Sequence, residues 1–304
     1  MAGRDRREVR RGARVTGDRP AGRPSRIIDG GLSTELAANG HDLSDHLWSA
    51  RLLRDEPQAI VDAHAAFLRA GATVSTTASY QATFDGFARS GIDRAETERL
   101  LTRSVTLARQ ASAETGADAL VAASVGPYGA MLADGSEYRG NYGLSVDDLV
   151  RFHRPRLEVL AAAGPDLFAV ETVPDLVEAE ALLIALDGIG VPAWLSFTVA
   201  GDTTRAGQPL ADAFSLVRGV DGIVAVGVNC CDPADVAPAL ATARAVSGKP
   251  LIAYPNSGEE WDATAREWTG EAGRWLAEAP FWGADWLGGC CRVTPADIAE
   301  LARP

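Results

Sequence analysis

Along the chain, short runs of apolar and β-branched residues alternate with longer stretches in which apolar positions recur every three or four residues. The first pattern predicts strands buried on both faces, and the second predicts helices that turn one face to a core. Eight strands are expected, at residues 26–31, 73–79, 119–127, 167–173, 193–199, 222–230, 251–256 and 285–291. Each is followed by a segment long enough for a helix, and the clearest helical patterns cover 57–69, 94–115, 145–163, 176–186, 233–246 and 294–302. Strands separated by helical crossovers make a parallel sheet, and eight such units imply closure into a (β/α)8 TIM barrel, an α/β fold occupying 27–304 as a single domain. An open doubly wound sheet is the competing arrangement. No GxGxxG follows the first strand and no GxxxxGK[ST] occurs, so nothing recommends a dinucleotide or P-loop site.

Composition adds limits rather than a function. The chain is 46% hydrophobic and 23% charged, ordinary for a globular protein of 304 residues. No apolar run reaches the roughly 18 residues of a membrane span, and the N-terminus lacks the apolar stretch of a secretory signal. The expectation is a soluble, cytoplasmic protein. Residues 1–26 hold nine Arg against Asp5, Glu8 and Asp18 and show no apolar periodicity, which predicts a disordered tail. The rest is therefore more acidic than the net charge of −12 conveys, and an acidic body is a poor partner for nucleic acid or an anionic membrane.

In a barrel of this kind the active site lies at the C-terminal ends of the strands. Those ends read Asp29-Gly30-Gly31, Thr76-Thr77-Ala78-Ser79-Tyr80, Ser124-Val125-Gly126-Pro127, Glu171-Thr172, Ser196-Phe197-Thr198, Asn229-Cys230-Cys231, Tyr254-Pro255-Asn256 and Gly288-Gly289-Cys290-Cys291-Arg292. Polar, small and sulfur-bearing residues abruptly end apolar runs. The four cysteines form two adjacent pairs at the sixth and eighth strands, an arrangement that suits metal binding better than a disulfide framework. Along a regular strand Cys290 and Cys291 point to opposite faces, so both reach one metal only where the chain has left strand geometry, a freedom Gly288-Gly289 is expected to supply. Three thiolates suit Zn²⁺ and leave its fourth position open, as catalytic zinc requires. The spacing is not that of a CxxC ribbon, and neither HxH nor HExxH occurs.

Gly-Val-Asn-Cys at 227–230 and Gly-Gly-Cys-Cys-Arg at 288–292 resemble the zinc signature of the homocysteine S-methyltransferase family. The resemblance extends through Asp29-Gly30-Gly31, residues 42–49, Thr76-Thr77-Ala78-Ser79-Tyr80-Gln81, Ser124-Val125-Gly126-Pro127-Tyr128-Gly129 and Glu171-Thr172, and covers 27–302. It implies an enzyme that transfers a methyl group to L-homocysteine to form methionine, with Cys230, Cys290 and Cys291 as zinc ligands and Cys231 without an assigned role. The segments at 42–49 and 124–130 are most similar to the branch using S-methylmethionine, with S-adenosylmethionine as a second donor and the betaine-dependent branch as the alternative. Asp29 and Glu171 are expected to meet the ammonium of homocysteine, and the amides near Gly30 and Gly31 its carboxylate. Thr77 and Asn229 are further expected substrate contacts. Trp48, Tyr80, Tyr128 and Tyr254 are aromatic candidates for the sulfonium. A zinc-dependent barrel hydrolase is the competitor from another class, and the supply of histidine here is thin for it.

Overall fold

Each of the eight expected strands has a counterpart in the computed structural model, which describes residues 24–43, 49–262 and 267–303. They are β1 (Arg26–Ile27), β2 (Val74–Thr76), β3 (Leu120–Val125), β4 (Leu167–Val173), β5 (Ala193–Phe197), β6 (Ile223–Asn229), β7 (Leu251–Tyr254) and β8 (Trp286–Leu287). All neighbours run parallel, in the order β1-β8-β7-β6-β5-β4-β3-β2. A single parallel bridge between Ile28 and Val74 joins the two ends of this sheet, so the strands form a (β/α)8 barrel. The expected strand 26–31 pairs regularly only over two residues, and 285–291 likewise, because the polar segments that follow leave the ladder to build the mouth.

Around the barrel lie α1 (Pro57–Arg69), α2 (Arg94–Thr115), α3 (Val146–Ala162), α4 (Leu176–Leu186), the short α5 (Leu210–Ser215), α6 (Pro233–Val246) and α7 (Pro295–Leu301). Their starts follow from local chemistry. Asp93 and Asp175 accept from the amides of Glu96 and Glu178, and Ser145 and Thr294 form reciprocal capping boxes with Asp148 and Asp297. Between β7 and β8, a segment long enough for a helix, the described residues form instead an antiparallel pair, Glu260–Asp262 with Glu267–Thr269, and two 3-10 turns, Arg274–Ala277 and Ala279–Phe281. Trp275 and Trp282 stack there at 5.5 Å and cover the barrel wall in its place.

Two apolar layers result. The outer one lies between strands and helices and includes Cys231, which is fully buried. The inner one fills the barrel, where Trp194 packs edge-on against Trp286 and Tyr254 while Ala122, Ala169 and Ala225 make room for it. No described helix is long and apolar enough to cross a membrane. Ser25 donates to the Asp285 carbonyl at 3.0 Å and Arg26 pairs with Trp286, which ties the first strand to the last.

Candidate active site

Three of the four thiols meet at the mouth. The sulfurs of Cys230, Cys290 and Cys291 all lie within 4.8 Å of one another, with Cys230 and Cys291 3.6 Å apart. The separation of Cys230 from Cys231 comes from the backbone. β6 ends at Asn229, and Cys230 takes a left-handed conformation (φ +50°), which puts its sulfur on the cavity wall, while Cys231 enters the apolar layer behind. The Cys290–Cys291 turn is fixed by neighbours: the Cys290 amide donates to the Pro255 carbonyl (2.7 Å) and the Cys291 amide to Asn256 Oδ1 (3.2 Å). The guanidinium of Arg292 grips both oxygens of Glu259 at 2.6 and 2.9 Å.

The two glycines before that turn act differently from expectation. Neither Gly288 nor Gly289 has positive φ, and the left-handed residue is Arg292 (φ +64°). What the glycines provide is space. A Cβ on Gly288 would lie 2.6 Å from Ile28 Cβ, and one on Gly289 2.2 Å from Val293. Gly30 and Gly31 follow the same logic, facing Phe67 and the Cys290 carbonyl. The Gly31 amide donates to the Val293 carbonyl (2.9 Å), so this stretch offers close approach rather than a free amide there.

Without a cation among them, crowded sulfurs cannot all ionise. Hydrogen bonds from Cys230 and Cys290 hold the Cys291 thiol well below its usual range, whereas contact with the Cys230 and Cys291 sulfurs pushes Cys290 well above it. Three soft donors converging in this way fit a metal ion such as zinc. His41 lies against Glu56, His64 against Ser75 and His153 against Glu178; none belongs to the cluster. His46 is outside the described residues.

The same cavity is lined by Glu171, 8% exposed, which accepts from the Ser124 hydroxyl. Burial raises its pKa to about 7, against hydrogen bonds from Ser124 and Tyr254. Asp29, 2% exposed, is likewise raised to about 7 by burial, although it accepts from both the amide (2.7 Å) and the hydroxyl of Thr76. Asp29 is not among the residues lining the cavity; it sits behind Thr76, which is. Asn229 also lies behind the wall. Its Oδ1 accepts from the Thr172 amide (2.7 Å) and the Ser196 hydroxyl (2.8 Å), and its Nδ2 donates to the Thr172 hydroxyl (2.8 Å). These bonds hold Thr172 at φ +59°, a rare conformation for a β-branched residue, costing about 1–3 kcal/mol.

Of the other expected residues, Gly30, Gly31, Thr77, Tyr80 and Tyr254 line the cavity. Tyr80 lies so close over Gly126 that a Cβ there would be 2.6 Å from its ring. Tyr128 instead packs against Tyr142 and Phe152, and Trp48 falls outside the described residues. Five wall residues are not legible in the sequence pattern: Leu32, Ser33 and Thr34, just after Gly31, and Glu137 and Tyr138, in a 3-10 turn of the loop after β3. The Tyr138 hydroxyl lies 3.1 Å from Cys230 Sγ. A 3-10 turn inside a loop leaves no periodicity to read. The loop is clamped from behind, as Glu178 accepts from the Tyr128 amide (2.6 Å) and Asp175 from the Asn141 amide (2.9 Å). His153 bridges Glu178 (2.9 Å) to the fully buried Arg156 (2.7 Å), which donates to the Gly126 carbonyl.

Two outcomes are expected from this geometry. Asn229→Ala should cost about 2–3 kcal/mol in denaturant unfolding, because the Thr172 amide and Ser196 hydroxyl lose a buried acceptor. For Glu171 the sign follows from a folded pKa of about 7 above an ordinary 4.5. The burial penalty is absent below the ordinary value, grows as pH rises through the folded one and is complete above it. Glu171→Gln should therefore match the parent near pH 4 and exceed its stability by about 2 kcal/mol at pH 8 in the substrate-free state. An equal or lower stability at pH 8 would contradict the burial penalty.

The family model described as homocysteine S-methyltransferase matches residues 26–304. The homocysteine S-methyltransferase of Escherichia coli (strain K12) is 46% identical over 289 residues, covering 90% of this chain and 93% of that protein. Homocysteine S-methyltransferase 4 of Zea mays is 44% identical, over 91% and 88%. Among solved structures, the metallated form of the homocysteine methyltransferase MmuM from Escherichia coli superposes with a TM-score of 0.82 at 44% identity, over 91% of this chain and 96% of that one. Its oxidized form gives 0.84 at 43%, over 95% and 98%. With the whole barrel and its three-thiol mouth inside these matches, the chain belongs to the homocysteine S-methyltransferase family.

Proposed function

We propose that this protein methylates the sulfur of L-homocysteine to give methionine, taking the methyl group from a sulfonium, S-methylmethionine first and S-adenosylmethionine second. Cys230, Cys290 and Cys291 would hold one zinc ion. The observation that carries the reading is the convergence of three thiols within 4.8 Å on the wall of a cavity faced by a buried carboxyl. When bound, zinc supplies a Lewis acid that lowers the pKa of the homocysteine thiol, while three thiolate donors leave that sulfur electron-rich enough to attack.

The protein's own residues bind and orient. Glu171 and Asp29 are two carboxyls whose proton affinity is raised mainly by burial, with the Glu171 charge adding to the effect on Asp29, and a substrate ammonium supplies the positive charge that lets them ionise together. Glu171 faces that ammonium on the cavity wall. Asp29 acts from behind it, setting Thr76 and adding negative potential. The glycines at 30 and 31 let the amino-acid end of the substrate approach the backbone closely. Tyr80 offers an aromatic face to the sulfonium. In the transfer the methyl carbon forms a bond to homocysteine sulfur as its bond to the donor sulfur breaks, and that electron pair leaves with the donor as a neutral thioether. A neutral thioether departs more readily than an amine, which favours sulfonium donors over betaine. Holding the three atoms in line supplies most of the remaining acceleration.

The reading is tested by assaying zinc-loaded protein with homocysteine against S-methylmethionine, S-adenosylmethionine and betaine, following methionine. Faster turnover with betaine than with either sulfonium moves the chain to the other branch of the family. For the metal, the expectation is one zinc per chain by elemental analysis. Cys230→Ser should lose both zinc and activity, since a hydroxyl is a far poorer zinc ligand than a thiolate. Cys231→Ser should keep both, because its sulfur lies in the apolar layer between strand and helix. Retention of metal by Cys230→Ser and its loss from Cys231→Ser would exchange the two assignments.

A further inference from the structure

Glu137 is the one side chain on the cavity wall whose charge nothing described so far employs. It is 3% exposed, lines the cavity, and its Oε2 has no hydrogen-bond partner among the described residues. An ionised carboxylate is costly to bury without a partner. Arg139, two residues on, is exposed, lies 3.6 Å from Asp134, and its charge only partly offsets the burial that raises the proton affinity of Glu137. Gln81 repeats the pattern on the same wall: it is 5% exposed, its Nε2 donates to the Ala130 carbonyl (2.8 Å), and its Oε1 is unpaired. This part of the cavity thus presents two buried acceptors without donors, beside the Tyr80 and Tyr138 rings. The hydroxyl of Tyr138 lies 3.1 Å from Cys230 Sγ, so the acceptors are close to the sulfurs where methyl transfer is proposed.

Acceptors without donors next to aromatic faces match a cation that has no N–H to give. A sulfonium is such a cation: its charge is spread over the attached C–H groups, which interact with π faces and with oxygen atoms but make no strong hydrogen bonds. We infer that Glu137, with Gln81 Oε1 and the rings of Tyr80 and Tyr138, is the contact for the positive centre of the sulfonium donor, distinct from Glu171, which serves the homocysteine ammonium. The inference rests on the donor reading above and adds to it the residue that selects for charge. A fixed carboxylate also holds the donor's sulfur at one place in the cavity, which aligns the methyl group with the sulfur it is passed to.

The test uses zinc-loaded Glu137→Gln, which keeps the side chain's shape and removes its charge, and trimethylsulfonium, which carries the charged sulfur without an ammonium or carboxylate. The KM for S-methylmethionine should rise about tenfold, with the KM for homocysteine and the zinc content unchanged. Binding of trimethylsulfonium by calorimetry should weaken by a similar factor. Unchanged trimethylsulfonium affinity overturns the assignment, as does an equal rise in both KM values. If the glutamine variant does not accumulate in folded form, Glu137→Asp, which keeps the charge but withdraws it by one methylene, should weaken trimethylsulfonium measurably, and no change there is equally decisive. Failure of the donor reading itself appears elsewhere, as absent turnover of S-methylmethionine by the unaltered protein.

Discussion

The mouth of this barrel is organised by the crowding of three sulfur atoms that repel one another once ionised. Sulfurs within 4.8 Å cannot share negative charge without a cation, and the protein holds them there regardless. It does so with rigid parts: a left-handed Cys230 at the end of β6, a Cys290–Cys291 turn bonded to Pro255 and Asn256, and an Arg292–Glu259 pair that fixes the turn's exit. Burial of Asp29 and Glu171 raises their proton affinity, so these carboxyls resist adding further negative charge at the mouth. The backbone around the sulfurs and carboxyls bears the cost of holding these groups together in advance, so their positions do not depend on reorganisation.

Much of this was legible in the sequence because it depends on short-range pattern. The eight apolar runs and the polar residues that end them led to the strands, and the rule that barrel sites lie at strand ends selected Glu171, Thr77, Tyr80 and the cysteines. What escaped depends on contacts between segments remote in sequence. Gly288 and Gly289 were read as a source of backbone freedom, yet they are needed because Ile28 and Val293 come within what would be a Cβ's reach. Asn229 ends its strand among polar residues and is an expected substrate contact, whereas its amide is bonded to Thr172 and Ser196 behind the wall. Glu137 and Tyr138 come from a 3-10 turn in a long loop, where neither period applies.

Support for the site is as specific as the site. Behind the loop that carries Glu137 and Tyr138, the Glu178–His153–Arg156 chain is wholly buried, an expensive arrangement unless it holds something in place. His153 remains neutral, since burial and the Arg156 charge push its pKa well below the usual range, so its Nδ1 accepts from Arg156 and its other nitrogen donates to Glu178. The loop's position is thereby written into buried hydrogen bonds rather than surface packing.

The pairing of β8 with β1 has a consequence for the order in which the molecule is made. Two of the three thiols lie just after β8, whose neighbour β1 is 260 residues away along the chain. A nascent polypeptide therefore emerges with Cys230 but without its sulfur neighbours, and the three-sulfur cluster is complete only after β8 has been synthesised and inserted beside β1. Until β8 is in place, Cys230 stands at the barrel mouth without the sulfur that lies 3.6 Å from it in the finished fold.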